Sequence, residues 1–309
     1  MREGGRPVVV LDSLELGRSD AVIDAPLIVG DIADAALIAR ICDEHDVDTI
    51  VHFAAYKNVG ESMHEPGKYF HNNVDNTVRL LDAAVKAGVR QVVFSSSCSV
   101  YGNPKHVPVD EQQPIAPESV YAETKAIVER VLHWYGEVHG LRSVSLRYFN
   151  AAGASFDARI GEDWGFALNL IPVAIKALLT DGEPLRVFGT DYPTPDGTCV
   201  RDYIHVDDLA GAHIAAIDYL AGGSATTSVN VGTGSGSSVL EVLNGIERIA
   251  GEPVPHVLVD RRAGDPMTTF SDSTRAREVL DWSPKYGLAE ILETAYHWHL
   301  SQLHSANPT

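Results

Sequence analysis

Short apolar runs alternate along the first half of this chain with longer stretches in which apolar residues recur every three or four positions. The runs fall at 8–11, 27–29, 49–53 and 91–94, the helical stretches at 34–45, about 69–87 and about 120–139, and a further strand is expected at 143–147. A run of four or five residues that is apolar at successive positions suits a strand covered on both faces. The 3.6-residue period instead suits a helix with one buried side. Strands in alternation with helices predict an α/β fold with a doubly wound parallel sheet, because parallel neighbours need a crossover connection. Such sheets hold ligands beyond the carboxyl ends of their strands. The residues due on that edge are Asp12, Asp31, Phe53 to Ala55, Ser95 to Ser97 and Tyr148 to Asn150.

The second half is less regular. A helix is expected over 171–179 and a strand over 185–188, followed by a loop dense in proline and glycine over 189–197 that leads to Arg201. That density of turn residues next to an arginine suits a binding rim. The segment 229–238 is an apolar run and a glycine-rich turn, with a helix starting near Val239, and the later strand 256–259 ends in Asp260. Together they imitate a dinucleotide-binding fingerprint. The glycines read G-x-G-x-G, however, so the third is misplaced, and a tight turn capping a helix explains them better. His297 and His299 flank Trp298 in an expected terminal helix.

Composition narrows the function classes. The 309 residues are enough for a substantial core, and 45% are hydrophobic, as in ordinary globular proteins. A net charge of −18 disfavours a nucleic-acid or anionic-membrane surface, while leaving room for local phosphate sites. Cys42, Cys98 and Cys199 are isolated and odd in number, so neither a disulfide framework nor a zinc site is expected, and a reducing cytoplasm is. The histidines make no metal motif. No signal peptide and no apolar run long enough to span a bilayer stand in the sequence given.

The strongest candidate chemistry lies between Ser95 and Lys125. An apolar strand ends in three serines, and Tyr121 and Lys125 follow at an i,i+4 spacing. On a helix that spacing puts a phenol and an ammonium on one face. The neighbouring positive charge favours the phenolate and lowers the tyrosine pKa, so the pair suits proton transfer at a hydroxyl or carbonyl. A Tyr-x-x-x-Lys spacing alone is common on helix surfaces. The hydroxyl-rich strand end before it changes the weighting.

With these residues assembled, the chain resembles the extended short-chain dehydrogenase/reductase family, and within it the branch that epimerises UDP-hexoses at C4. The resemblance runs from Gly4 to near Trp298. Ser97, Tyr121 and Lys125 carry the wider match. The segments 52–62, 146–150 and above all 191–205 carry the narrower one. It implies a Rossmann-like sheet over 1–150 that binds NAD. It also implies a smaller α/β domain over 151–309 that mainly binds UDP-sugar, with segments near 202–233 returning to the first. Galactose metabolism in the cytoplasm and a homodimer joined through the helices after Tyr69 and around Tyr121 are further implications.

Residue by residue, the resemblance makes Tyr121 the base at the sugar 4-hydroxyl. Ser97 bridges hydroxyl and phenol, and Lys125 holds the nicotinamide ribose, while hydride passes from C4 to nicotinamide and back. Asp12 would bind the adenosine ribose, favouring NAD over NADP. Asp31 and Ile32 would lie at the adenine, with Phe53, Ala54, Ala55, Lys57 and Asn72 along the cofactor and Phe149 bordering the sugar and cofactor. Asn150, Asn169, Arg201, Arg262 and Asp265 would hold UDP-sugar, the arginine forks suiting a diphosphate.

Two departures stand out. The family opens with a strand, a G-x-x-G-x-x-G turn and a helix, and residues 1–7 match only the end of that helix. The expectation is an N-terminally truncated sheet, with either a misplaced start or a chain that holds NAD differently or not at all. The non-catalytic alternative is a UDP-sugar-binding remnant. Thr269 stands where epimerases restricted to unacetylated sugars tend to carry a bulky aromatic, so the N-acetylated pair is an expected substrate. A 4,6-dehydratase is disfavoured because Cys98 and Ser99, not acids, follow Ser97.

Overall fold

The computed structural model describes residues 1, 4–262 and 266–306. It divides into two compact units. The first comprises 1–102, 115–147 and 213–229, and the second 103–114, 148–212 and 230–309.

In the first unit β1 (Val10–Asp12) pairs in parallel with β2 (Leu27–Val29), and the Gly30 amide continues the ladder by donating to the Asp12 carbonyl at 3.0 Å. The strand is thus two residues later than its apolar run, and Asp12 is its last residue. Helix α1 (Ala35–Glu44) starts where the Asp34 carboxylate accepts the Ala36 and Leu37 amides, both at 3.0 Å. Such a cap satisfies donors that the first turn leaves open and contributes about 1 kcal/mol. Strand β3 (Thr49–His52) follows, and then α2 (Val59–Ser62) and α3 (Pro66–Phe70).

The helix expected over 69–87 is continuous in its backbone course, but it widens into a π turn, His71–Asp75, between α3 and α4 (Asn76–Lys86). The wide turn accommodates Asn73, 2% exposed. Its carboxamide accepts the Tyr56 amide at 2.8 Å and donates to the Tyr56 carbonyl at 3.1 Å. Hydrogen bonding to a loop, invisible in the apolar spacing, has overridden the regular helix. Strand β4 (Gln91–Ser95) is followed by a 3-10 turn, Cys98–Tyr101, by α5 (Val120–His139), and by β5 (Arg142–Tyr148). The Ser119 hydroxyl caps α5 at one end, and Gly140 in the left-handed region ends it at the other.

The remaining elements are β6 (Asn150–Ala152), α6 (Leu170–Leu179), β7 (Leu185–Phe188), β8 (Val200–His205) and α7 (Val206–Ala221). After them come β9 (Thr227–Val231), β10 (Gly236–Ser238), α8 (Val239–Ala250), β11 (His256–Val259), β12 (Thr268–Thr269), α9 (Thr274–Leu280) and α10 (Leu288–Ala306), which carries the paired histidines expected there. The main sheet runs β3-β4-β5-β9, with β3, β4 and β5 parallel. The fold class is therefore the α/β one read from the alternation. Two apolar clusters hold the first unit. Ile38 and Cys42 pack with Leu80 and Ala84, joined by Leu11 and Ile50, while Leu81 packs with Val92, Phe94, Val128 and Leu132. In the second unit, α6, α8 and α10 pack Ile171, Ile175, Val242, Ile246 and Ile291 against Leu185 and Val187 of β7.

Candidate active site

Strand β4 ends where its parallel neighbours end, and α5 lays its first turns beside that end. The Lys125 side chain reaches Ser95, where its Nζ donates to the carbonyl at 2.7 Å, and the residue is only 4% exposed. Burial pulls the Lys125 pKa down to about 8, against the opposing pull of the Glu129 carboxylate. The ammonium also lies 5.8 Å from the centre of the Tyr121 ring and 4.9 Å from that of Phe94. The sequence spacing has thus put phenol and ammonium together on one helix face. An ammonium has three N–H donors, and for two of them no acceptor stands among the described residues.

Ser97 begins the 3-10 turn. Its Oγ accepts the Ser99 amide at 3.2 Å and the Ser99 hydroxyl at 2.9 Å. Tyr121 is fixed through its backbone, whose amide donates to Ser62 Oγ at 3.2 Å and whose carbonyl accepts from Thr124 Oγ1 at 2.7 Å. Thr124 in turn accepts from Asn73 Nδ2 at 3.1 Å, so the π turn braces α5. His52, 4% exposed, bonds Thr77 Oγ1 at 2.8 Å, and burial together with the Lys125 charge lowers its pKa to about 3.

The other expected cofactor residues also stand at strand ends of this unit. One oxygen of Asp12 takes the Leu14 amide at 2.7 Å, which leaves the second without a donor among the described residues. Asp31 is exposed and holds the Ala33 amide at 2.8 Å. Ile32 packs on the α1–α4 cluster. Phe53, just past β3, is 56% exposed, with its ring centre 4.7 Å from that of His213, and Ala54 and Lys57 are exposed beside the half-buried Ala55. Asn72, in the π turn, donates to Asn73 Oδ1 at 3.0 Å.

The residues expected at UDP-sugar, and Phe149, belong to the second unit. Phe149 is 4% exposed, and its amide donates to the Val231 carbonyl at 3.1 Å. Asn150 spends its carboxamide N–H on the Asp202 carbonyl at 2.8 Å. Asn169 precedes α6 and is exposed. Arg201 donates to the Val200 carbonyl at 2.9 Å, and Thr269 pairs with it in register on β12. The guanidinium of Arg262 stacks 4.2 Å from the Phe188 ring centre, and that of neighbouring Arg261 4.1 Å from Tyr192. The Thr269 hydroxyl is buried with no hydrogen-bond partner among the described residues. Asp265 lies outside the described residues.

The glycine turn after β9 serves the protein itself. Asp202, fully buried, accepts the Thr233 and Gly234 amides at 2.9 and 3.1 Å, the Thr233 hydroxyl at 2.5 Å, and the amide and hydroxyl of Ser271 at 3.0 and 2.7 Å. A Cβ on Gly232 would stand 2.5 Å from Asp202 Oδ2, so only glycine fits. The cap of α8 is Ser238, in a reciprocal box with Glu241, and the glycines do not supply it.

Sequence reasoning missed Glu129. Its carboxylate takes Arg147 Nε at 3.0 and 3.2 Å and Ser96 Oγ at 2.5 Å, while Arg147 Nη1 donates to the Tyr101 hydroxyl at 2.9 Å. The i,i+4 step from Lys125 to Glu129 was the available signal.

Comparison with known proteins places this arrangement in context. The model of the family described as "NAD dependent epimerase/dehydratase family" matches residues 1–232. A UDP-glucose 4-epimerase of Rhizobium meliloti is 48% identical over 295 residues, which cover 96% of this chain and 90% of that protein. A UDP-glucose 4-epimerase structure from Stenotrophomonas maltophila, with bound NAD and formylated UDP-arabinopyranose, superposes with a TM-score of 0.95 at 37% identity, covering 98% of this chain and 94% of the other. The UDP-Glc/GlcNAc 4-epimerase of Campylobacter jejuni gives a TM-score of 0.81 at 37% identity, covering 95% and 91%.

Proposed function

The chain belongs to the NAD dependent epimerase/dehydratase family, and from that premise we propose that it interconverts UDP-glucose and UDP-galactose by transient oxidation at the sugar C4. The observation that carries the reading is Lys125, a buried ammonium one helical turn from Tyr121 that has one acceptor among the described residues and two donors left over there. Charged donors buried without partners are costly unless a ligand meets them. The hydroxyls of a nicotinamide ribose suit them. Asp12, with one carboxylate oxygen left over, suits the diol of an adenosine ribose. Asp31, Ile32, Phe53, Ala54, Ala55, Lys57 and Asn72 would line the cofactor between these two ends, with Phe149 at its sugar side. NAD, when bound, supplies a reversible acceptor for the C4 hydrogen and is not consumed.

The chain's own residues handle the proton. Tyr121 takes it from the sugar 4-hydroxyl at its phenolic oxygen and returns it once the sugar has presented its other face. Ser97 hydrogen-bonds the same hydroxyl and orients it toward the phenol. Lys125, while protonated, favours the phenolate electrostatically. Asn150, Asn169, Arg201, Arg262 and Asp265 would bind the UDP-sugar, and Thr269, small at its position, would leave room for an N-acetyl group. Asn169 and Arg262 are exposed in support of such a role.

Two broader inferences accompany this reading. The working unit is a homodimer through α4 and α5, supported by Trp134 and Val138, which are 64% and 68% exposed one turn apart on α5. The place of action is the cytoplasm, supported by Cys42, Cys98 and Cys199, which are free thiols.

Incubating the purified chain with UDP-galactose, and assaying both UDP-glucose and released nicotinamide dinucleotide, tests the function. Conversion by protein that retains NAD is expected. Binding of UDP-sugar without NAD and without conversion would establish the non-catalytic reading instead. UDP-N-acetylglucosamine is expected to turn over as well, and a chain that converts UDP-galactose but leaves the N-acetylated sugar untouched would remove the role given to Thr269.

A further inference from the structure

The residue that couples the catalytic lysine to the rest of the sheet is Glu129. It lies one turn beyond Lys125 on α5, with its side chain 11% exposed and that of its partner Arg147 9% exposed. Its two oxygens are held from β5 and from the residue just past the end of β4. Arg147 of β5 grips both with a guanidinium fork, and Ser96, next to the serine whose carbonyl receives Lys125, donates its hydroxyl to Oε1. Arg147 is fixed in turn by Tyr101, through the hydroxyl at 2.9 Å and through the ring face, 5.2 Å from the guanidinium carbon to the ring centre.

Apolar residues of similar volume would suit a buried helix–strand contact at least as well as this ion pair, since desolvation offsets most of its attraction. Stability alone therefore gives no reason for a carboxylate here. Position does. We propose that Glu129, locked by Arg147 and Ser96, is a positioning residue that keeps Lys125 charged and holds the Ser95–Ser97 strand end against α5.

The charged and titratable groups around Lys125 are few. Tyr121 and Glu129 flank it on α5, His52 on β3 feels its charge, and Arg147 and Tyr101 stand behind Glu129. On α7, His213 bonds the Ser95 side chain through Nε2 at 3.0 Å. His52 stays neutral above a pKa of about 3. Among these groups Glu129 is therefore the negative charge that opposes the burial of Lys125. With Glu129 neutral, the lysine loses its proton at lower pH, the phenol of Tyr121 loses its cationic neighbour, and the proton transfer assigned to the pair weakens.

The proposal rests on the epimerase reading for its catalytic consequence, and its test includes a measurement that does not depend on turnover. Lysines labelled at Cε are titrated by carbon NMR, with the Lys125 signal assigned by its loss in Lys125→Met. In Glu129→Gln the Lys125 inflection is expected to fall by about one pH unit. The alkaline limb of kcat against pH should fall with it. Because Glu129→Gln strands a buried guanidinium and can fail to fold, Glu129→Gln/Arg147→Gln removes both charges together and should shift the inflection in the same direction but by less, since losing the more distant Arg147 cation offsets part of the effect. Tyr101→Phe keeps the ion pair and should leave the inflection in place. An unmoved Lys125 inflection in either folded variant overturns the proposal, even if turnover drops, because a purely structural role lowers activity without changing the lysine. Absence of turnover in the unaltered chain would overturn the epimerase reading, and the NMR titration would still decide the role of Glu129.

Discussion

Two regions of this chain present an apolar strand, a turn of small residues and polar side chains, and they differ in whether those polar groups are satisfied. After β9, the Thr233 and Gly234 amides and the Thr233 hydroxyl, joined by the amide and hydroxyl of Ser271, give the Asp202 carboxylate five protein donors, so it is satisfied within the protein. After β4 and β1 the accounting stays open. Among the described residues Lys125 spends one donor of three, and Asp12 one oxygen of two. A closed set of hydrogen bonds marks a structural device, while an open set at the carboxyl edge of a parallel sheet marks a place that a ligand completes. Glycine-rich sequence is common to binding loops and tight structural turns, and satisfaction is what separates them.

Substitutions can break or sharpen this contrast. The largest effect is expected from Tyr121→Phe, which removes the proposed proton acceptor while keeping the ring that packs at the site. Its kcat should drop by about a thousandfold with an unchanged unfolding midpoint, measured by coupled assay and by urea titration. Asp202→Asn should do the reverse. Its carboxamide presents N–H groups to donors that already converge there, so stability should fall by about 3 kcal/mol in urea titration. Any loss of activity should track unfolding. A stable Asp202→Asn that has lost nucleotide binding would invert the comparison.

Asp12→Asn sharpens the contrast further. The open edge predicts about tenfold weaker NAD binding, read by calorimetry, with stability within about 0.5 kcal/mol of the parent. Smaller still is a pH effect. In the proposed mechanism Lys125 supports Tyr121 only while protonated, and burial brings its pKa down to about 8. Activity should therefore hold below pH 8 and fall as pH rises through that value. A flat profile from pH 7 to 9.5 would show that the lysine charge is not needed.

Much of the first unit was legible because its signals are local. The alternation of apolar runs with 3.6-residue periods located β3, β4, α5 and β5 closely, and the Tyr121–Lys125 spacing brought both side chains to the end of β4. What escaped was non-local. The π turn exists because Asn73 bonds a loop residue 17 positions earlier, and no periodicity encodes that. The carboxylate that claims the Gly232–Gly234 turn comes from Asp202, about 30 residues before it. Arg147, one residue from the end of β5, shows its partnership with Glu129 only once β5 lies beside β4. For Asn150 the sequence indicated a polar residue at a strand end, and the structure adds that its amide already holds β8 through the Asp202 carbonyl.

The central claim is that the C4 hydrogen leaves the sugar and returns to the same carbon while Tyr121 manages only the hydroxyl proton. The most direct test supplies UDP-galactose deuterated at C4 and follows the product by mass spectrometry and proton NMR. The account predicts UDP-glucose with the deuterium retained at C4. Product in which that position has exchanged with water, or bound UDP-sugar that is never converted, would contradict it.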